Sequence, residues 1–467
     1  MKPGASIVLA GTLAAVLAVA AIAAACYRGS GPVFIFFNAC FFALVALALP
    51  QPRLYVYTFL AAFLVLGFWV KVVFHAIWDP GFVEPVGDFS YSPGEWDSAL
   101  IVAVCGALGV VAARLAHLWW ARRSRRQDHV ASTAPRWFIR WAGPVWVLTI
   151  VLLIGVNAAN LQFAFYQIGV KPRLLLPMRG HVLIAWLVNI GFALWVASLV
   201  WWDYRSRRTL GRNLLLPVGE SLLSATSAFS RMNFLLHALP YALAILERRK
   251  ELLAAIRRRS LYVLLGLFLL LFVVSVIVVF WLRVYQYYGY ASGTGSEPLA
   301  GHVERTIYKQ VPLLLIHRWV GLEGILAVGA KPGRSPKLLA DAIVESPKLE
   351  GQSLFQRTAK TRYLSEAEQF VFLGNAGPIA VLWFSGSPAL VLLGMAAVGL
   401  ILIATEEAAR RWTGNPFVCA VSGAALANVV VQTTFFYLTL VFLLQLWVAM
   451  AFLAALQRLD FGNSLKG

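Results

Sequence analysis

What this chain lacks first is charge: 13% of its 467 residues are Asp, Glu, Lys or Arg, about half the share a water-soluble chain carries. Cysteine is also scarce. The four present, Cys26, Cys40, Cys105 and Cys419, lie in or beside apolar runs and form no CxxC pair, so no zinc site or disulfide framework can be read from them. Missing too are a Walker loop, a GxGxxG opening a strand-helix unit, an HExxH and a GxSxG elbow. What is there is apolar: 60% of the chain, in runs of about 20 residues that each match a hydrocarbon core of roughly 30 Å. Such runs exclude a soluble enzyme, a coiled coil, a disordered tail and an outer-membrane barrel, and predict an all-α polytopic bundle. The net charge of +19 then needs no nucleic-acid partner, because cytoplasmic loops of membrane proteins carry excess Lys and Arg. Ala23-Ala24-Ala25-Cys26 faintly resembles a lipoprotein cleavage box, but Ala23 stands where Leu is usual, and the first run reads as an uncleaved span.

Ser6 to Cys26, Pro32 to Leu49, Leu54 to Ile77, Ser98 to Trp120, Trp141 to Leu161 and Val182 to Trp202 read as spans. The loop after the third holds Asp79, Glu84, Asp88, Glu95 and Asp97 and no Lys or Arg, whereas the next holds Arg122, Arg123, Arg125, Arg126, Arg136 and Arg140. The first therefore faces outside and the second the cytoplasm, with Trp119, Trp120, Trp137, Trp141, Trp201 and Trp202 as an interfacial belt. Both termini are expected inside. Basic stretches at 203–213 and 247–259 flank Leu214 to Leu246, which is short for two spans, long for one, and contains Glu220, Arg231, His237 and Pro240. It reads as a re-entrant or broken hairpin whose ionisable groups line a cavity, since each costs roughly 3 kcal/mol in lipid. The expected organisation is a membrane region over 1–281, an external helical subdomain over 282–369 and C-terminal spans over 370–467, about twelve spans in all. In the external part, Ser335-Pro336 reads as a cap with a first-turn proline, and Ser365 with Glu368 as a capping box.

Polar density concentrates on the outer side and is rich in arginine. The connection after the fifth span carries Tyr166, Lys171, Arg173, Arg179 and His181, a set suited to headgroups or, through bidentate guanidinium bonds, to a phosphate or diphosphate. A denser cluster is His302, Glu304, Arg305, Lys309, His317, Arg318 and Glu323. It reads either as a buried Arg-Glu pair or as a cation for a departing diphosphate beside a base for an acceptor hydroxyl. His75, His117 and His129 are scattered and read as core or loop residues; Lys71, isolated in the third span, reads as snorkelling or paired.

Several segments carry a family resemblance. They are Phe165-Tyr166-Gln167-Ile168-Gly169 with Leu176-Pro177, Ser230-Arg231 with His237-Ala238-Leu239-Pro240-Tyr241, Arg318-Trp319-Val320-Gly321-Leu322-Glu323-Gly324, and Asn375-Ala376-Gly377-Pro378 with Phe384-Ser385-Gly386-Ser387. Over roughly 160–390 the chain resembles Wzy-type oligosaccharide repeat-unit polymerases, related in fold to WaaL-type O-antigen ligases. Arg318 to Gly329 fits their R-x10-G pattern, while Arg179 reaches Gly191 one residue late. The resemblance implies a metal-independent glycosyltransferase without cofactor at the periplasmic face of the bacterial inner membrane. Its donor and acceptor would be undecaprenyl-diphosphate-linked oligosaccharides, and membrane lipids and a chain-length regulator its other partners. Carried over, Arg318 and Arg231 would hold the diphosphate with Arg173, Arg179 and Arg305 assisting and Glu220 and Tyr166 in the substrate site; Glu323 or His317 would be the base. A ligase, another polyprenyl-phosphate glycosyltransferase and, from another class, a lipid-linked oligosaccharide flippase are the competing expectations.

Overall fold

The computed structural model describes residues 3–79, 81–123, 133–170, 172–288, 316–346, 352–360 and 374–459. They are helical almost throughout, and the one β pairing among them is a bridge between Gln167 and Val170. In chain order the helices of six residues or more are α1 Pro3–Cys26, α2 Gly31–Ala46, α3 Tyr55–Trp78, α4 Pro93–Arg123, α5 Arg136–Phe163, α6 Gly180–Arg207, α7 Leu215–Ser227 and α8 Arg231–Glu247. They continue with α9 Arg258–Tyr288, α10 Leu322–Ala330, α11 Pro336–Val344, α12 Leu354–Ala359, α13 Pro378–Trp383, α14 Pro388–Thr413, α15 Pro416–Val431 and α16 Phe436–Arg458. Seven of them, α3, α4, α5, α6, α9, α14 and α16, are long and apolar enough to cross a membrane; α1, α2 and α15 contribute shorter apolar stretches.

These helices are apolar nearly all round, as a lipid-facing bundle requires, so polar residues mark the inward faces. In α5 the buried positions include Thr149, Asn157 and Asn160, while Val147, Leu148, Val151 and Ile154 point outward. Small residues let helices approach closely. Gly109 of α4 lies against the Leu392 carbonyl of α14, and Gly399 of α14 against Ala113 of α4, so these two helices pack closely and run parallel.

Two of the long helices are interrupted by π turns, at Val65–Val70 in α3 and at Leu187–Gly191 in α6. A π turn displaces the residues that follow it and leaves carbonyls free of their usual partners. Both interruptions face buried charge, as described below.

The helix ends sort the loops onto two faces. On one, Arg28 pairs with Asp79 at 3.2 Å, the backbone of Ile168 donates to Ala228, and Arg283 donates to the Phe229 carbonyl. On the other, the fully buried Arg114 donates to the carbonyls of Leu47, Pro50 and Pro52. There Glu406 accepts from the backbone N–H groups of Tyr55 and Val56, capping α3. The first face carries the acidic loop and the second the arginine-rich ends of α4 and α6.

Between them stands the hairpin formed by α7 and α8, with 13 and 17 residues. Thirteen residues rise about 20 Å, less than the roughly 30 Å of a hydrocarbon core. The hairpin tip, Ala228 to Ser230, meets the loop after α5 through Ile168 and the last turns of α9 through Arg283.

Candidate functional site

The first half of the site is set by the α3 π turn. Gly67 within it touches the Val320 carbonyl so closely that a Cβ would sit 2.2 Å from that oxygen, and a Cβ on Gly321 would sit 2.6 Å from the Gly67 carbonyl. Glycine at these two positions lets the strand of chain before α10 lie directly on the turn. Behind it, Gly324 presses on the Ala376 carbonyl, so the segment is held on both sides. The result aims Glu323, in the first turn of α10, at Lys71, the first residue after the π turn.

Lys71 Nζ donates to both carboxylate oxygens of Glu323 and, at 3.2 Å, to the His317 carbonyl. Lys71 is 1% exposed and Glu323 6%. His317 Nδ1 lies 3.3 Å from Glu323 Oε1. An ionised carboxylate only accepts, so Nδ1 carries the proton and donates. The neutral ring is then left with its lone pair on Nε2, which is buried and has no hydrogen-bond partner. His75, one turn beyond Lys71, completes the group. Its ring centroid is 5.1 Å from that of His317, it stacks on Phe82 at 4.1 Å, and neither of its nitrogens has a partner. A cavity of about 30 Å³ reaches His75 from Tyr27, Arg28 and Asp79, room for one water-sized group. At its edge, burial and the bond to Asp97 Oδ1 at 2.9 Å push the Tyr27 phenol well up.

The second half is the hairpin tip. Ser230 caps α8 and accepts from the Asn233 N–H, which puts Arg231 at the first helical position. Arg231 is repelled by the charges of Arg318 and of Arg283, the latter near the end of α9. Glu84, on the acidic loop, sits in the field of Arg318, Glu323, Lys71 and His317, so one electrostatic neighbourhood joins the two halves. Partial loss of hydration, and then the Glu323 carboxylate, push the Glu84 acid above its ordinary value.

A buried network supports the tip from below. Glu220 accepts from Ser224 Oγ at 2.8 Å and lies 3.0 Å from His237 Nδ1, and His237 Nε2 donates at 2.8 Å to the Asn189 carbonyl within the α6 π turn. Because Nε2 donates there, the one proton between Nδ1 and Glu220 belongs to the pair, which is neutral as a unit. Asn157 of α5 accepts from Ser227 Oγ, and Asn160 donates to the Ser227 carbonyl.

The remaining expected residues lie in various places. The Tyr166 backbone is clasped by Asn160, which accepts from its N–H at 2.7 Å and donates to its carbonyl at 2.9 Å. Arg173 is exposed, its Nη1 3.4 Å from the Gln162 carbonyl. Arg179 ends a short 3-10 turn, Pro177–Arg179. Arg305, with His302, Glu304 and Lys309, lies outside the described residues.

His75 and Arg283 are brought to this neighbourhood without having been expected there, and Lys71, read as snorkelling or paired, is paired with Glu323. The signal for Lys71 was available: a lone cation and a lone carboxylate in separate apolar segments each need an opposite charge at that depth. Among the described residues, no group of three or more His, Cys, Asp or Glu is placed to hold a metal ion. Comparison with protein-family models, curated proteins and solved structures finds no match.

Proposed function

We propose that the protein is a membrane glycosyltransferase that polymerises undecaprenyl-diphosphate-linked oligosaccharide repeat units at the face carrying the acidic loop. The observation that supports this reading is that Arg231 stands in the field of Arg283 and Arg318, while Glu84 stands in the field of Arg318 and of the His317 imidazole, which a buried carboxylate holds. Three like charges beside the hairpin tip suit a doubly charged diphosphate, because each guanidinium offers paired donors to its oxygens.

In this reading the donor's diphosphate rests on the three arginines. His317 Nε2 takes the proton of an acceptor sugar hydroxyl, and the Glu323 carboxylate, charge-balanced by Lys71, keeps the ring oriented and stabilises the imidazolium that forms. The freed oxygen bonds to the anomeric carbon of the donor glycan as that carbon's bond to the diphosphate oxygen breaks. Undecaprenyl diphosphate leaves with its new charge on the arginines.

The topology that goes with it has about twelve helical passes, counting the two short arms of the hairpin with the long apolar helices and the three shorter ones. The arginine-rich ends of α4 and α6 and both chain termini then face the cytoplasm, and the site faces the periplasm. Purified protein given lipid-linked repeat units tests the proposal. A ladder of lengthened glycans on a gel is expected. One added unit and no further growth would replace the polymerase with a ligase, and no transfer by folded protein with its cognate substrate would reject the reaction.

A further inference from the structure

At the arginine-rich end of the molecule, far along α4 and α14 from the site, a cavity of about 520 Å³ opens between these two helices. Its floor is made of small side chains, Ala116 of α4 and Ala404 and Ala408 of α14, and it runs inward as far as Leu400. Its mouth is polar. His117 Nε2 lies 3.3 Å from Glu407 Oε1, and the Arg411 guanidinium sits 5.9 Å over the Trp120 ring. Beside it, Arg123 covers Trp119 at 3.8 Å.

We infer that this groove binds one anionic phospholipid, with an acyl chain laid on the alanine floor and its phosphate between Arg411 and Arg123. Two observations select that occupant. From Arg411 to Leu400 is about 16 Å of helix, close to half of a hydrocarbon core of roughly 30 Å. The groove is thus as deep as one leaflet's acyl chains. The charge at the mouth is cationic: Arg411 in the lining, with Arg122 and Arg123 at the end of α4 just beyond Trp120, outnumbers the one carboxylate there, Glu407, already engaged by His117. A basic pocket between membrane helices attracts an acidic headgroup over a zwitterionic one. Trp119 and Trp120, both exposed, give the headgroup level its aromatic anchors.

Native mass spectrometry of the detergent-purified protein, given phosphatidylglycerol and phosphatidylcholine of equal chain length and concentration, tests this. The wild type is expected to retain one phosphatidylglycerol in clear excess. Arg411→Gln, at an exposed position, should lower that preference roughly fivefold. Ala408→Trp, filling the groove, should remove the retained lipid of either kind. Inorganic phosphate should leave retention unchanged, because the acyl chain supplies the apolar contact. Equal retention of the two lipids by the wild type, an unchanged preference in Arg411→Gln, persistence of the bound lipid in folded Ala408→Trp, or displacement by phosphate would each overturn the assignment.

Discussion

Lys71 and Glu323, separated by 252 positions, meet as a buried ion pair whose carboxylate also holds the His317 ring. Breaking a buried pair by removing one partner leaves an uncompensated charge and costs about 3–5 kcal/mol, whereas replacing both with apolar residues is often neutral. Glu323→Leu alone and Lys71→Met alone should therefore unfold at markedly lower temperature in detergent. The double variant should recover most of that loss and still make no ladder. Full activity in the stable double variant would separate the pair from the chemistry.

Arg231, Arg283 and Arg318 are expected to act on the donor's diphosphate. Lysine keeps the charge but loses the planar fork. Each Arg→Lys change should lower kcat/KM for the lipid-linked donor by at least about tenfold, a loss within the range of one charge-assisted hydrogen bond. Arg173→Lys, at an exposed position outside that trio, should stay within about threefold of the wild type. Steady-state assays with varied donor check both, and a uniform response of all four arginines would argue for general attraction to headgroups.

Glu84 gives a pH signature. Its acid is raised, so the folded chain keeps a proton that the unfolded chain has lost, and stability falls as pH climbs through the raised value. Below the ordinary carboxylate pKa of about 4.3 both states are protonated and the effect vanishes. Glu84→Gln should thus melt close to the wild type near pH 4 and above it at neutral pH, while the charges of Lys71 and Arg318 stay in place. Thermal unfolding at the two pH values is the check; a variant less stable at neutral pH would show that Glu84 is a net partner of Arg318.

The Glu220 and His237 pair is 1% exposed on both sides. His237→Phe should cost about 3–5 kcal/mol by stranding the carboxylate, and Glu220→Gln, which can still bond the ring, should cost less. If the pair only sets the height of the hairpin tip, Glu220→Gln should raise KM for the donor more than it lowers kcat. A pure kcat effect would place the pair in the proton path instead.

Much of the scaffold can be read from composition. The apolar runs at 54–77, 98–120, 141–161 and 182–202 coincide with long helices, and Ser335 caps Pro336–Val344 by accepting from the Leu338 N–H as its sequence suggests. The Ser365 and Glu368 capping box lies outside the described residues. What could not be read is lateral. Period and hydropathy describe one helix at a time, whereas the partner of Lys71 depends on which helices become neighbours. Neither π turn has a sequence signature, although one re-aims Lys71 and the other frees the Asn189 carbonyl for His237. Glu406 marks a loop by its charge, yet its role is to satisfy the first N–H groups of α3. Arg283 ends an apolar run as any interfacial arginine would, and only the neighbouring hairpin shows that it turns to the Phe229 carbonyl.

That cap by Glu406 bears on how the chain is made. Tyr55 and Val56 find their acceptor 351 and 350 residues downstream, so α3 leaves the ribosome with its first turn unclosed and its lysine uncompensated. The early helices must wait in a provisional arrangement, shielded by water or by the insertion machinery, until the last third of the chain arrives. Truncations after α9 should accordingly be recognised and degraded as unassembled protein, however apolar their segments.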